Sequence, residues 1–406
     1  MLSILDADVP VEVDDLFDSP SAWDGGGLQA LAGGFLPARR EQEGLEPADE
    51  GSWLERLVSA PVRATQFAAE AAANTYDLTF GDAGVAPRAK PFSVIDDGPQ
   101  RTVRRYEART RRAREPIVLI PPLAAPVSCF DLRPGASLVE HLTWLGHRTY
   151  VVDYGPIGFS DRELGLEHWV DDVLPKAITA VAEDAGEPVP VCGWCLGGIM
   201  SLLTVAAHPE VPVRSLTMIA SPFDFTKVSL FEPIRRIGGV TGGAIVTTAY
   251  RALGGAPAPL VSLAFRATAI DRYLTRPMWL ARNIDNREAL AHMRATDRYM
   301  SHMLAYPGRT LGQLYHQFFY EGQLSSGKVE LGGEEIDFAS VEMPVLSIAG
   351  RNDVLAPPAA AFAVAKLLPN ADVRLETEPG GHLGVLTGTS AKRTTWPLLR
   401  EFAPAG

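Results

Sequence analysis

Six short apolar runs recur between residues 116 and 376, each closed by turn-forming residues. They are Ile117-Val118-Leu119-Ile120, Thr149 to Asp153, Val189 to Gly193, Leu216 to Ala220, Val345 to Ala349 and Val373 to Glu376. Runs this short and continuous are the pattern of strands buried on both faces. Helical periodicity fills the gaps, as in Val170 to Ala182 and Ile199 to Ala207. Strands that alternate with helices pack as right-handed βαβ units, giving a mostly parallel sheet with helices on both faces. The expected fold class is therefore α/β.

The alternation breaks between about Phe223 and Val341. There Trp279, Leu290, Met293, Met300, Met303, Leu311, Leu314, Phe318 and Phe319 suggest helices without strands. A helical insertion placed after a core strand sits as a cap over the strand C-terminal ends, where ligands bind. The expected organisation is a tail over 1–52, an N-terminal helix and leading strands over 53–115, and the first part of the core over 116–225. The cap follows over 226–340 and the second part of the core over 341–406. The helix is expected from Trp53 to about Tyr76, where Leu54, Leu57, Val58, Val62 and Phe67 recur at helical spacing.

Charge separates the tail from the body. The net charge is -12, and the first 50 residues hold 12 acidic against 2 basic side chains, so the tail supplies -10 of it. With its Gly25-Gly26-Gly27 and Gly33-Gly34 runs, such a tail is expected to be disordered. The nearly neutral body offers no global attraction for nucleic acid. One exception is the stretch Arg101 to Glu115 with its seven arginines. It reads as a solvated strand edge, the alternative being a contact with an anionic cofactor, granule or membrane surface.

Three cysteines are too few for a disulfide framework, and no basic-then-apolar segment opens the chain, so a reducing, cytoplasmic setting is expected. The most apolar tract, Gly238 to Phe265, is interrupted by Arg251 and rich in Gly and Pro, so no transmembrane segment is expected.

Gly193-Trp194-Cys195-Leu196-Gly197-Gly198 follows an apolar strand and opens a helix. A nucleophile elbow requires that context: its central residue takes a strained backbone conformation, and only small neighbours let the chain turn so sharply. Cys195 stands where serine is usual. In this arrangement an acid and a histidine follow the nucleophile in chain order, and both are present after late strands: Asp353 before Val354-Leu355-Ala356-Pro357-Pro358, and His382 in Gly380-Gly381-His382-Leu383-Gly384. His382 is expected to take the thiol proton and Asp353 to fix the ring and stabilise its cation. The backbone N–H of Leu196 and that of Ala124 are the expected oxyanion donors, because Pro126 has no N–H. Each residue alone has a duller explanation, a buried small hydrophobe, a turn former and a surface histidine, but their order and placement argue for a triad.

Cys192-Gly193-Trp194-Cys195 also has C-x-x-C spacing, yet a redox pair leaves the glycines and the late Asp and His loops unexplained. No second Cys or His pair stands at zinc-ligand spacing, so no metal is expected.

These residues resemble the polyhydroxyalkanoate (poly-3-hydroxybutyrate) synthase family, within the α/β-hydrolase superfamily, and most closely the short type that pairs with a helper subunit. The resemblance runs from about Gly84 to Phe402. It includes Ile120-Pro121-Pro122 with Phe130-Asp131-Leu132-Arg133-Pro134, Asp153-Tyr154-Gly155, the Cys195 box, and Ala220-Ser221-Pro222-Phe223-Asp224-Phe225. Gly332-Gly333-Glu334-Glu335-Ile336-Asp337, Met343-Pro344-Val345-Leu346, Asp353 with Pro357-Pro358, and the His382 loop complete it. The resemblance implies an α/β-hydrolase fold and a 3-hydroxyacyl chain carried as a thioester on Cys195. That chain passes to a hydroxyl with release of CoA. Acyl-CoA or polyester is then substrate, no cofactor is tightly bound, and a homodimer, a helper subunit or a granule surface are the implied partners. The chain departs from the family in the loop after Ile120: Ala125, Pro126, Val127 and Ser128 stand where synthases usually carry Asn and an aromatic. A hydrolase, either thioesterase or depolymerase-like esterase, would use the same three residues, and an idle granule-associated protein would keep only the fold.

Overall fold

The computed structural model describes Ala71, residues 90–110 and 114–232, Thr248, and residues 253–268 and 270–402. The acidic tail lies outside the described residues, as does the expected helix from Trp53 to Tyr76 apart from Ala71, which is helical.

Eight strands form the central sheet. They are β1 (Ser93–Gly98), β2 (Arg101–Tyr106), β3 (Arg114–Ile120), β4 (His147–Asp153), β5 (Val189–Trp194), β6 (Val213–Ile219), β7 (Val345–Gly350) and β8 (Val373–Glu378). Their order across the sheet is β1-β2-β4-β3-β5-β6-β7-β8. The two leading strands are antiparallel to their neighbours, and the six from β4 to β8 run parallel. The sheet is mostly parallel and α/β, as its apolar runs require.

Alternation along the strands feeds two cores. Val118 and Ile120 of β3 pack on one face, with α2 (Leu174–Ala185) and α3 (Leu196–Ala207). Ile117 and Leu119 pack on the other, with α1 (Leu138–Leu145) and the C-terminal helix that carries Trp396 and Leu399. The chain passes from β3 to β4 on one side and returns to β5 on the other, so its direction across the sheet reverses beside β3. Open α/β sheets bind ligands at such a reversal, outside the strand C-terminal ends.

Two expectations need correction. The part of the arginine-rich stretch that forms β2 is not a strand edge: β2 lies between β1 and β4, and its Arg101, Arg104 and Arg105 are neutralised locally. Arg101 pairs with Asp96 at 2.5 Å, Arg104 with Asp153, and Arg105 with Asp184 at 2.7 Å and Glu107 at 2.8 Å. The segment between β6 and β7 is not strand-free either. Among the described residues it is mainly helical, but Gly255–Ala256 pairs with Tyr306–Pro307, and Lys328–Leu331 forms a hairpin with Glu334–Asp337. The hairpin turn is Gly332-Gly333, both with positive φ (62° and 90°), the backbone that a tight two-residue turn demands. That Gly-Gly pair between alternating residues was a readable signal. Among the described residues no helix is long and apolar enough to cross a membrane.

Candidate active site

Cys195 sits between β5 and α3 with φ 53° and ψ -122°, a left-handed conformation that a non-glycine residue adopts only when its surroundings enforce it. Its N–H donates to the Ile219 carbonyl at 2.8 Å, and its carbonyl accepts the Ser221 hydroxyl at 2.7 Å, which pins both sides of the turn to the end of β6. The flanking glycines are obligatory. A Cβ on Gly193 would lie 2.5 Å from the Gly198 backbone, and one on Gly197 would strike the Ile120 carbonyl. The second contact also places the start of α3 against the loop that follows β3.

Asp353 and His382 leave the ends of β7 and β8. The Asp353 side chain is fully buried, and its Oδ1 accepts the N–H groups of Leu355 and Ala356, each at 2.8 Å. Its Oδ2 lies 2.8 Å from Nδ1 of His382. The two loops touch, since a Cβ on Gly350 would stand 2.5 Å from the Gly380 carbonyl. Trp194, the neighbour of Cys195, donates from Nε1 to the His382 carbonyl at 3.1 Å and packs its ring 5.3 Å from the imidazole. Sequence reasoning missed this clamp.

Burial by itself would lower the pKa of His382, but the Asp353 carboxylate and the Cys195 side chain outweigh it and hold the ring well above the ordinary imidazole value. An imidazole kept cationic beside a thiol is the electrostatic arrangement of a thiolate–imidazolium pair. The other two cysteines differ. Cys192 is buried and its thiol is pushed up to about 12, and burial also raises Cys129, which argues against a C-x-x-C redox pair.

The structure thus brings Cys195, Asp353 and His382 together, with Leu196 as the first residue of α3. Ala124 lies in the loop after β3, 1% exposed, and its carbonyl accepts the Leu304 N–H at 2.8 Å. It does not line the cavity described next.

Cys195 and His382 open into a cavity of about 290 Å³. The core contributes Leu196, Ile199, Pro222 and Leu355 to its wall, and the segment after β6 contributes the aromatics. Rings of Phe225 and Phe231 lie 6.0 Å apart, Phe231 and Phe319 5.4 Å, and Tyr315 stacks on Phe319 at 5.8 Å. Leu311, Leu314, Phe318 and Phe319 had been legible as apolar cap residues, whereas Phe231, Phe265, Tyr306 and Tyr315 carried no separate signal.

A mostly parallel sheet that delivers cysteine, aspartate and histidine in that chain order from its strand ends is the α/β-hydrolase fold. The sequence relatives are poly(3-hydroxyalkanoate) polymerase subunits, so the resemblance seen in the motifs extends over most of the chain. The chain is 25% identical over 302 residues to subunit PhaC of Haloferax mediterranei, covering 73% of this chain and 60% of that one. To PhaC of Synechocystis sp. it is 26% identical, covering 71% and 77%, and to that of Allochromatium vinosum 24% identical, covering 79% and 89%. It spans about 60% of the length of the haloarchaeal relatives. Among solved structures, a complex of DcsB with its substrate analogue aligns with a TM-score of 0.49 at 18% identity, covering 77% of this chain and 98% of DcsB. No protein-family model matches the chain.

Proposed function

We propose that the protein is an acyltransferase of the polyhydroxyalkanoate synthase kind, moving a 3-hydroxyacyl group from CoA through a Cys195 thioester to a hydroxyl acceptor. The observation that carries this is a cysteine on a strained elbow, beside a His382–Asp353 pair, opening into an aromatic cavity. The names of the sequence relatives supply the substrate class.

His382 accepts the Cys195 proton and the thiolate adds to the acyl carbonyl. The developing oxyanion is met by the N–H of Leu196, the residue after the nucleophile. The C–S bond to CoA then breaks, and His382 returns the proton to the departing CoA sulfur. In the second half, His382 takes the proton of an acceptor hydroxyl, whose oxygen attacks the Cys195 thioester. The new ester forms, and Cys195 leaves as thiolate and is reprotonated by His382. A thioester retains its transfer potential, and the apolar wall disfavours water, the competing acceptor.

The test is incubation with 3-hydroxybutyryl-CoA while CoA and acyl products are followed together. Oligomeric or polymeric ester is expected, together with an acyl adduct on Cys195 that disappears in Cys195→Ala. CoA release with only free 3-hydroxybutyric acid overturns the transferase reading in favour of a hydrolase.

A further inference from the structure

Among the described residues, the cavity beside Cys195 offers a ligand few polar side chains. Apart from Cys195 and His382 these are the phenols of Tyr306 and Tyr315. The Tyr315 hydroxyl is buried without a hydrogen-bond partner among the described residues, and the Tyr306 hydroxyl makes no hydrogen bond to them. The loop after β3 adds no side-chain donor before Ser128, since it reads Ala124, Ala125, Pro126, Val127. Of the two phenols, Tyr306 is held in the cavity wall by a strand pairing, and burial, followed by the charge of Cys195, raises its pKa. It therefore stays a neutral phenol, able both to donate and to accept.

Its position is built into the backbone. Tyr306 pairs with Ala256 and Pro307 with Gly255, and Gly255 has φ 136°, where a Cβ would strike the Tyr306 carbonyl. Two residues earlier, the Leu304 N–H binds the Ala124 carbonyl at 2.8 Å. The strand pair and that bond tie Tyr306 to the loop that borders the nucleophile. A second phenol, Tyr299, is 4% exposed without a hydrogen-bond partner, and its pKa is raised by burial and by Cys129, Cys195 and Tyr306.

We propose that Tyr306 recognises the oxygen substituent of the acyl group delivered to Cys195, so that the site selects hydroxyacyl over unsubstituted acyl thioesters. The inference rests on the reading of Cys195 as the acyl-bearing residue. A hydroxyl close to the thioester carbonyl satisfies both roles of the phenol, whereas an alkyl chain leaves the phenol unpaired against an apolar wall, which disfavours that substrate. Tyr306 is then a specificity-determining residue and takes no part in proton transfer.

The experiment measures the single-turnover rate of Cys195 acylation by intact-protein mass spectrometry, with 3-hydroxybutyryl-CoA and with butyryl-CoA. The wild type is expected to favour the hydroxylated thioester by about 10- to 100-fold, and Tyr306→Phe to lose that preference. Phenylalanine keeps the ring, and the wild-type preference is itself a measurement independent of the variant. Equal losses on both thioesters, the outcome of a merely structural role, overturn the proposal, and so does a preference retained in Tyr306→Phe. Equal wild-type rates overturn it while leaving the acyltransferase reading intact. Failure of Cys195 to take an acyl group from either thioester overturns both.

Discussion

At the ends of β5, β7 and β8 backbone meets backbone, whereas in the segment packed over them ring meets ring. Gly193 touches Gly198, Gly197 touches the Ile120 carbonyl, and Gly350 touches the Gly380 carbonyl, with no side chain between them that could yield. Phe225, Phe231 and Phe319 meet through side chains at 5.4 to 6.3 Å, and Phe319 is only half-buried. Backbone contacts admit one arrangement, while aromatic contacts can repack. The loops that carry Cys195, Asp353 and His382 are thus held rigidly, and the aromatic wall of the cavity is left adjustable.

Three substitutions sharpen this contrast. The largest effect is expected from Asp353→Asn, which keeps the shape of the rigid side but removes the charge that holds His382 cationic. Turnover should fall by about 10⁴-fold. Stability offers a second readout. Because the folded pKa of His382 is raised, its pairing with Asp353 contributes fully below the ordinary imidazole pKa of ~6.5 and is lost as pH rises through the raised value. Denaturant melts should therefore show a stability gap between wild type and variant that narrows as pH rises.

Gly193→Ala tests the backbone contact itself. A methyl 2.5 Å from the Gly198 backbone cannot be accommodated without moving β5 away from α3, and a loss of about 3 kcal/mol or more is expected in chemical denaturation. A loss below about 1 kcal/mol would show that the elbow can relax and would weaken the contrast.

The smallest effect is expected from Phe319→Ala on the adjustable side. Its ring is half-buried, so the stability loss should be about 1–2 kcal/mol, below that of a fully buried phenylalanine. Acyl preference should move towards longer chains as the cavity widens, measured as kcat/KM across a series of 3-hydroxyacyl-CoA thioesters. A stability loss as large as that of Gly193→Ala would show that the aromatic wall is as rigid as the core.

Much of the rigid side was legible in the chain. The apolar runs marked six of the eight sheet strands because strands buried on both faces leave no polar alternation. The glycines around Cys195 marked the elbow because only residues without a Cβ permit the contacts found there. The two leading strands were anticipated only as a region. Their arginines read as solvent-exposed because the partners, Asp153 and Asp184, lie 49 and 79 residues away in sequence. The short pairing that carries Tyr306 was invisible for a similar reason: two residues against two leave no periodicity to read.

What the sequence by itself determined is local: where strands begin and end, which cysteine stands on a strand-to-helix turn, and which aspartate and histidine follow late strands. Periodicity and glycine placement encode these because they depend on neighbours in the chain. Only the tertiary structure decided that Trp194 clamps the His382 loop, that the arginines of β2 pair with acids of neighbouring elements, and that Tyr306 stands in the cavity with Cys195. Those relations join residues far apart in the chain, and the packing of the whole sheet and its cap sets them.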